Sequence, residues 1–327
     1  MKLNTEQIQS IVRGAARVWE ADDGYVCLNR FTKLQEQAYL QGPRPDLIPK
    51  VYTAAGMRLA FCTSSEHLRL SYRIRTASSG RLGWFDLYVN GAMVGHFGNG
   101  GVSVSESCVE LSLGAGDKTV EIYLPYAARV ELGAVELDDG ATLNPYFRSK
   151  KLLCFGDSIT QGNEAQYPSL TYVSSLARLL DADVTNKGIA GEWFFPALLT
   201  DAETEKPDAI TVSYGTNDWS GRTRETVTQA CTEFYRRLAK LYSDTPIYAI
   251  TPLWRGDAAN KTPFGEKADA MHDLISACVS DLSNVRVIRG WNLIPHVKEF
   301  FHDLFLHPND LGFGIYAANL YREIDSI

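Results

Sequence analysis

Near Asn144-Pro145 the hydrophobic period of this chain changes, and no single sheet or helical bundle can satisfy the patterns on both sides of it. From about residue 24 to 137 the period is two. Leu68, Leu70, Tyr72 and Ile74 alternate with Arg69, Ser71, Arg73 and Arg75, so one side of a strand meets a core and the other meets water. Val109, Leu111 and Leu113 repeat the pattern, as do Val120, Ile122 and Leu124. Asn90-Gly91, set between Phe85-Asp86-Leu87-Tyr88-Val89 and Ala92-Met93-Val94, predicts a two-residue hairpin turn, because Asn and Gly accept the positive φ such turns require. Short strands punctuated by turns predict an antiparallel, jelly-roll-like β-sandwich, preceded by a short helix around Thr5 to Val12.

Beyond the switch, Leu152-Leu153-Cys154-Phe155 reads as a buried strand, and Leu170, Val173, Leu176 and Leu180 then recur at helical spacing. A strand around Ile210-Thr211-Val212 precedes a helix carrying Val227, Cys231, Phe234, Leu238 and Leu241 on one face. Ile247 to Ile250 precedes a third helix carrying Phe264, Ala268, Met271, Ile275, Cys278 and Leu282, and Val285 to Ile288 is a further strand. Strands alternating with helices in this way predict an α/β half, a parallel sheet covered on both faces. The boundary falls near residue 148, giving a β-sandwich domain over 1–148 and an α/β domain over 149–327. A length of 327 residues accommodates about two domains, each with its own core.

Charge and cysteine usage narrow the partners. A formal net charge of −7, with no Lys/Arg run, leaves no footprint for a nucleic-acid backbone. No apolar segment approaches the ~20 residues of a membrane span, and Met1-Lys2-Leu3-Asn4-Thr5 lacks a signal-peptide stretch, so the expected location is cytoplasmic. The cysteines at 27, 62, 108, 154, 231 and 278 are scattered, without zinc-ligand spacing, and read as reduced small hydrophobes. No metal, no cofactor and no membrane partner is expected.

Open α/β sheets bind ligands beyond the carboxyl ends of their strands, so the loops there carry the chemistry. The first is Gly156-Asp157-Ser158-Ile159-Thr160-Gln161-Gly162, where Ser158 is either exposed into the crevice or a helix cap. Next comes Asn186-Lys187-Gly188-Ile189-Ala190-Gly191-Glu192, whose glycines allow close approach or a plain turn. Asn217, in Gly215-Thr216-Asn217-Asp218, offers an amide N–H to an oxyanion or closes an Asx-turn. His302-Asp303-Leu304-Phe305-Leu306-His307-Pro308-Asn309-Asp310 places Asp303 one turn from His307. Each fragment alone is ambiguous. In this order they supply the nucleophile, oxyanion donors and base of acyl transfer.

These segments resemble the sequence blocks of the SGNH hydrolases, also called the GDSL esterase/lipase superfamily, from about Lys151 onward. Gly156-Asp157-Ser158 is similar to the nucleophile block, Gly191 to the glycine block, Gly215-Thr216-Asn217-Asp218 to the asparagine block and His307-Pro308-Asn309-Asp310 to the histidine block. The β-rich first half resembles the N-terminal sandwich of two-domain members, some acting on carbohydrate esters and some on acyl transfer. The resemblance implies a three-layer, flavodoxin-like catalytic domain. It implies Ser158 as nucleophile, His307 as base and Asp303 as its orienting acid, with an oxyanion hole from the Ser158 and Gly191 N–H groups and the Asn217 side chain.

One departure stands out. The family's acid usually precedes its histidine by three residues, a position held here by Leu304, whereas Asp303 is four before. If neither Asp303 nor Asp310 reaches the imidazole, a backbone carbonyl would orient it and the site would be a Ser/His dyad. Glu164, Trp193, Phe194, Trp254 and Arg255 lie near these loops as pocket or packing residues, with Glu164, Trp193 and Trp254 taken as substrate-binding candidates. The expected function is hydrolysis of small, acetyl-type esters on a small-molecule or carbohydrate alcohol. The alternatives are an acyltransferase using the same serine and an inactive carbohydrate-binding protein that exposes Trp84 or Tyr88.

Overall fold

A computed structural model describes residues 1–76, 83–100 and 105–324. The change of period becomes a change of architecture. Strands Lys150–Gly156, Ala182–Asn186, Ala209–Ser213, Ile247–Ile250 and Val285–Ile288 form one parallel sheet. Numbered along the chain they lie in the order 2-1-3-4-5, the flavodoxin-like winding whose strand order reverses between the first and third strands. Alternation along the first strand feeds both faces. Leu153 and Phe155 join the helices Arg224–Leu241 and Ala270–Val279 on one side. Leu152 and Cys154 join Tyr172–Leu179 and Asp310–Glu323 on the other.

The first half carries two antiparallel sheets. One contains Arg58–Thr63, Lys118–Tyr123, Gly83–Val89 and Ala92–Asn99; the other contains Val26–Asn29, Ala128–Leu137, His67–Thr76 and Ser105–Ser112. Leu59, Phe61, Phe85, Val120 and Ile122 from the first sheet meet Leu68, Leu70, Ile74, Val130 and Leu132 from the second in one core. Asn90 (φ 50°) and Gly91 (φ 77°) make the expected hairpin turn, with Val89 paired to Ala92. The early helix spans Thr5–Ile11, closed by a capping box of Asn4 and Gln7.

Three readings from sequence change here. Inside the strand-rich stretch lie a helix, Lys33–Leu40, and a 3₁₀ segment, Pro45–Tyr52. Their apolar residues Tyr39, Leu47 and Val51 pack with Phe31 into the α/β core rather than the sandwich. The third α/β helix is shorter than its apolar spacing predicts. Phe264 and Ala268 fill the same core from the preceding loop, where Gly265 at φ +86° interrupts a helical run. Tyr88 is buried at the junction of the halves, its hydroxyl donating to Ser169 Oγ at 3.1 Å. It is therefore closed to a glycan. Trp84 is half-buried, its ring 6.0 Å from that of Tyr167.

Buried charges lock the halves together. Arg58, 1% exposed, donates to Glu121 at 2.7 Å and also binds Asp183 on the second parallel strand. Arg148 donates to the same Glu121 carboxylate at 2.8 Å. Desolvated pairs of this kind are weak net stabilisers, yet removing one partner strands the other charge, which sets the relative placement of sandwich and sheet.

Candidate active site

The turn out of the first parallel strand is possible only for glycine. A Cβ on Gly156 would sit 2.0 Å from Thr160 Oγ1. Asp157 then caps the short helix Ser158–Gln161, accepting from the Ile159 N–H at 3.0 Å, so the turn presents Ser158 at its head. Ser158 Oγ lies 2.9 Å from His307 Nε2, and His307 Nδ1 lies 2.8 Å from Asp303 Oδ2. The other Asp303 oxygen accepts the backbone N–H groups of Phe305, Leu306 and His307 at 3.0, 2.7 and 3.1 Å. Burial works to raise the Asp303 pKa, but the hydrogen bonds from His307, Leu306 and Phe305 outweigh it and hold the carboxyl well below the usual carboxylate range. An ionised Asp303 accepts from Nδ1–H, which leaves Nε2 to accept the Ser158 hydroxyl.

The extra residue between acid and imidazole has a local explanation. Leu304 adopts φ +65°, in the left-handed region, and this bend returns the chain so that a four-residue step still closes on His307. Asp310 is not part of this relay. Asn309 caps the last helix by accepting from Gly312, and Asp310 accepts the Gln166 N–H at 2.7 Å.

The glycine loop docks directly on the helix Ser158–Gln161. A Cβ on Gly188 would meet Gln161 N at 2.5 Å, the Ala190 N–H donates to Gln161 Oε1 at 2.7 Å, and Asn186 Nδ2 donates to Thr160 O at 2.7 Å. Gly191 has φ +87°, a conformation that favours glycine. Asn217 follows the third strand and donates one amide hydrogen to Glu192 O at 2.8 Å; among the described residues no protein acceptor takes its second amide hydrogen. Among the described residues no protein acceptor takes the N–H of Ser158 or of Gly191. The helix Ser158–Gln161, the glycine loop and Asn217 are thus joined by direct contacts.

The flanking candidates separate. Glu164 adopts φ +72° and its carboxylate lies 3.4 Å from His302 Nε2; His302 N–H in turn donates to His307 O at 2.8 Å. Glu164 therefore contacts the turn that carries His307. Trp193 sits between the guanidinium groups of Arg44 and Arg222, at 4.4 and 4.8 Å from its ring. Trp254 stacks on His296 with ring centroids 5.4 Å apart and packs against Phe301. Arg255 donates to Thr216 O, Thr216 Oγ1 and Ser220 Oγ at 3.1, 2.9 and 3.0 Å. It thereby pins the helix that carries Asn217.

Three acids are buried around these loops. Burial pushes Asp157 up to about 7, Glu192 up to about 7 and Asp218 up to about 6, the last opposed by Arg222 at 3.0 Å. A folded-state pKa raised above the unfolded value contributes stability that is full below the unfolded carboxylate range and is lost as pH rises through the folded value. Glu192→Gln is expected to flatten the loss of melting temperature between pH 5 and pH 8 relative to wild type. Parallel pH slopes for the two proteins in differential scanning fluorimetry would contradict this.

Fold and site together describe a doubly wound α/β protein with a serine, an imidazole and a carboxylate in hydrogen-bonded sequence at its switch point. Residues 154–315 match the GDSL-like Lipase/Acylhydrolase family, and the α/β half of this chain belongs to that family. No curated protein matches the sequence. Among solved structures the chain is similar to the salicylyl-acyltransferase SsfX3 from a tetracycline biosynthetic pathway, with 24% identity, TM-score 0.81, and 95% of this chain and 93% of that one covered. It is also similar to a family two carbohydrate esterase from Cellvibrio japonicus, with 16% identity, TM-score 0.69 and coverage of 99% and 96%. An acetyl xylan esterase from the rumen bacterium Butyrivibrio proteoclasticus shares 15% identity at TM-score 0.65, with 99% and 97% covered. These likenesses extend over both halves and establish the two-part fold. Among the described residues no group of three or more His, Cys, Asp or Glu could hold a metal ion, and no helix is long and apolar enough to cross a membrane.

Sequence reasoning passed over Arg30, Arg44 and Lys50. Arg30 donates to Asn186 O and Gly188 O at 2.6 and 2.7 Å, Lys50 to Ala190 O at 2.7 Å and Arg44 to Gly191 O at 3.3 Å. No motif could have flagged them, because their acceptors are backbone carbonyls about half the chain away.

Proposed function

We propose that the protein is a serine esterase acting on small acyl esters, acetyl in the first instance, of a carbohydrate alcohol. The observation that carries this reading is the uninterrupted Ser158–His307–Asp303 relay, at 2.9 and 2.8 Å, at the carboxyl end of the sheet. His307 Nε2 takes the hydroxyl proton as Ser158 Oγ bonds to the acyl carbon, and the carbonyl oxygen becomes an oxyanion held by the N–H groups of Ser158 and Gly191 and by Asn217. The tetrahedral adduct collapses, the ester C–O bond breaks and the imidazolium returns its proton to the departing alcohol. Water, deprotonated by the same imidazole, then attacks the acyl-serine; the acyl–Oγ bond breaks, the imidazolium returns its proton to Oγ and the carboxylic acid departs. Asp303 stays ionised throughout and stabilises the imidazolium.

The leaving oxygen must lie beside His307, so the groups bordering that imidazole are the alcohol's neighbours. Glu164 and His302 flank the turn that carries it. Next to them Asp310 and Gln166 connect to Tyr167, which stacks on His96 of the sandwich at 3.5 Å between ring centroids. This wall is rich in hydrogen-bonding groups and suits a polyhydroxylated alcohol. The similarity to carbohydrate esterases supports the same choice. Transfer of the acyl group to an alcohol instead of water uses the same serine, and the likeness to a salicylyl-acyltransferase keeps this as the second reading.

The test is a panel of acetyl, butyryl and longer esters, then acetylated sugars with and without an acceptor alcohol, run beside a fluorophosphonate probe mapped by peptide mass spectrometry. Labelling at Ser158 with preferred turnover of acetylated sugars is the expected result, and accumulation of a new ester in place of free acid would identify the transferase. Asn217→Ala is expected to lose about 10²- to 10³-fold in kcat, as one oxyanion donor is removed. A protein that neither labels nor turns over any ester would be the inactive binder.

A further inference from the structure

We propose that Lys50 is a positioning residue for the oxyanion hole, its ammonium holding the Ala190–Gly191 peptide so that the Gly191 N–H is aimed toward Ser158. The inference rests on the esterase reading and adds to it a duty for the N-terminal half. Lys50 Nζ donates to Ala190 O at 2.7 Å. That oxygen and the Gly191 N–H belong to one peptide unit, and the unit is trans, since no cis bond occurs among the described residues. In a planar trans peptide the C=O and N–H point in opposite directions. A cation fixed on the oxygen side therefore fixes the N–H on the other side. The bond from a charged donor also polarises the amide, which makes its N–H a stronger donor to a developing negative charge.

The rest of the loop is held in the same manner. Arg44 Nη1 donates to Gly191 O at 3.3 Å, and Arg30 Nη1 to Asn186 O and Gly188 O at 2.6 and 2.7 Å. Carbonyls of residues 186, 188, 190 and 191 are thus each bound by a cation contributed from residues 30–50. On the opposite side Gln161 Oε1 takes the Ala190 N–H at 2.7 Å. The loop is clamped between the nucleophile helix and the N-terminal half. The segment bearing Lys50 is itself anchored, because Leu47 and Val51, at 0% and 1% exposure, are set into the α/β core. A free glycine at φ +87° could otherwise rotate its neighbouring peptide at little cost.

Removing a whole oxyanion donor costs about 10²- to 10³-fold in kcat. Misaiming one should cost less, and Lys50→Met is expected to lower kcat on a small acetyl ester about 10- to 100-fold with KM moved by no more than about 2-fold. Affinity for an alkyl boronic acid, whose tetrahedral adduct uses the same donors, should fall with kcat, while a competitive alcohol inhibitor should bind as in wild type. Lys50→Arg, which keeps a cation, is expected to recover most of the loss. Lys50→Gln is the neutral variant to use if Lys50→Met unfolds. Wild-type kcat in the neutral variants, a loss confined to KM, or equal losses in Lys50→Gln and Lys50→Arg would overturn the clamp. Those results against wild-type turnover that depends on Ser158 would overturn the clamp alone. Wild-type protein without Ser158-dependent turnover would overturn the esterase reading and the clamp together.

Discussion

Ser158→Ala is expected to lose on the order of 10⁴- to 10⁶-fold in kcat for ester hydrolysis while melting within a few degrees of wild type. The substitution removes one oxygen from a residue that is 5% exposed and whose hydroxyl, among the described residues, is hydrogen-bonded to His307. The helix cap is unaffected, because Asp157 rather than Ser158 supplies it. In the proposed mechanism, what disappears is the atom that bonds to the acyl carbon. The remaining donors and the imidazole can only assist direct attack by water, which typically preserves about 10³- to 10⁴-fold over the uncatalysed rate. The measurement is initial-rate kinetics on a chromogenic acetyl ester together with the fluorophosphonate label. Turnover within 10-fold of wild type, or a label on another residue, would remove Ser158 from the mechanism.

For Asp303→Asn the expectation is a drop of about 10⁴-fold in kcat. The reason lies in how the carboxylate divides its two oxygens. One accepts three backbone N–H groups and the other accepts the His307 Nδ1–H. An asparagine can satisfy the backbone only by keeping its carbonyl oxygen there, which turns its NH₂ toward Nδ1. The imidazole must then accept at Nδ1 and carry its proton on Nε2, where it can no longer take one from Ser158. The flipped amide restores the tautomer but faces NH₂ against three backbone donors. Neither orientation works.

The same residue sets an acid limit on stability. Its folded pKa is depressed, so its contribution is full above the unfolded carboxylate range and is lost as pH falls through and below that range. Asp303→Asn should therefore show a shallower decline of melting temperature between pH 5 and pH 3 than wild type. A variant within 10-fold of wild-type kcat would show that the imidazole is oriented by another group.

How much of this was legible in the sequence depends on the range of the interactions. The Leu68 to Ile74 alternation and the Asn90-Gly91 turn report strand and hairpin because period and turn chemistry act within a few residues. The α/β half reads out for the same reason, since each helix face and strand is a local pattern. Where a local pattern was read alone it misled. Tyr39, Leu47 and Val51 sit in a stretch dominated by strands, and only the presence of the α/β core explains why they form helical turns against it. Tyr88 alternates like an exposed strand residue, and only docking of the two halves buries it.

The order of chemistry-bearing loops, and hence the candidates Ser158, Gly191, Asn217, Asp303 and His307, came from residue types placed after predicted strands. Their convergence is a property of the winding, because a 2-1-3-4-5 sheet brings the ends of its first, second and third strands to one edge. The four-residue spacing of Asp303 and His307 could not be judged in one dimension. A single left-handed residue, Leu304, decides it.

Amino-acid order alone determined that this chain has a strand-rich half and an α/β half, and which side chains could do acyl chemistry. Tertiary structure alone decided that Ser158 meets His307 across 149 residues, and that Arg30, Arg44 and Lys50 reach the carbonyls of the glycine loop. The physical reason is that a backbone carbonyl accepts from any donor irrespective of the residue that bears it. Contacts of that kind leave no mark in the identity of the residue that receives them, and they exist only once both halves of the chain are folded against each other.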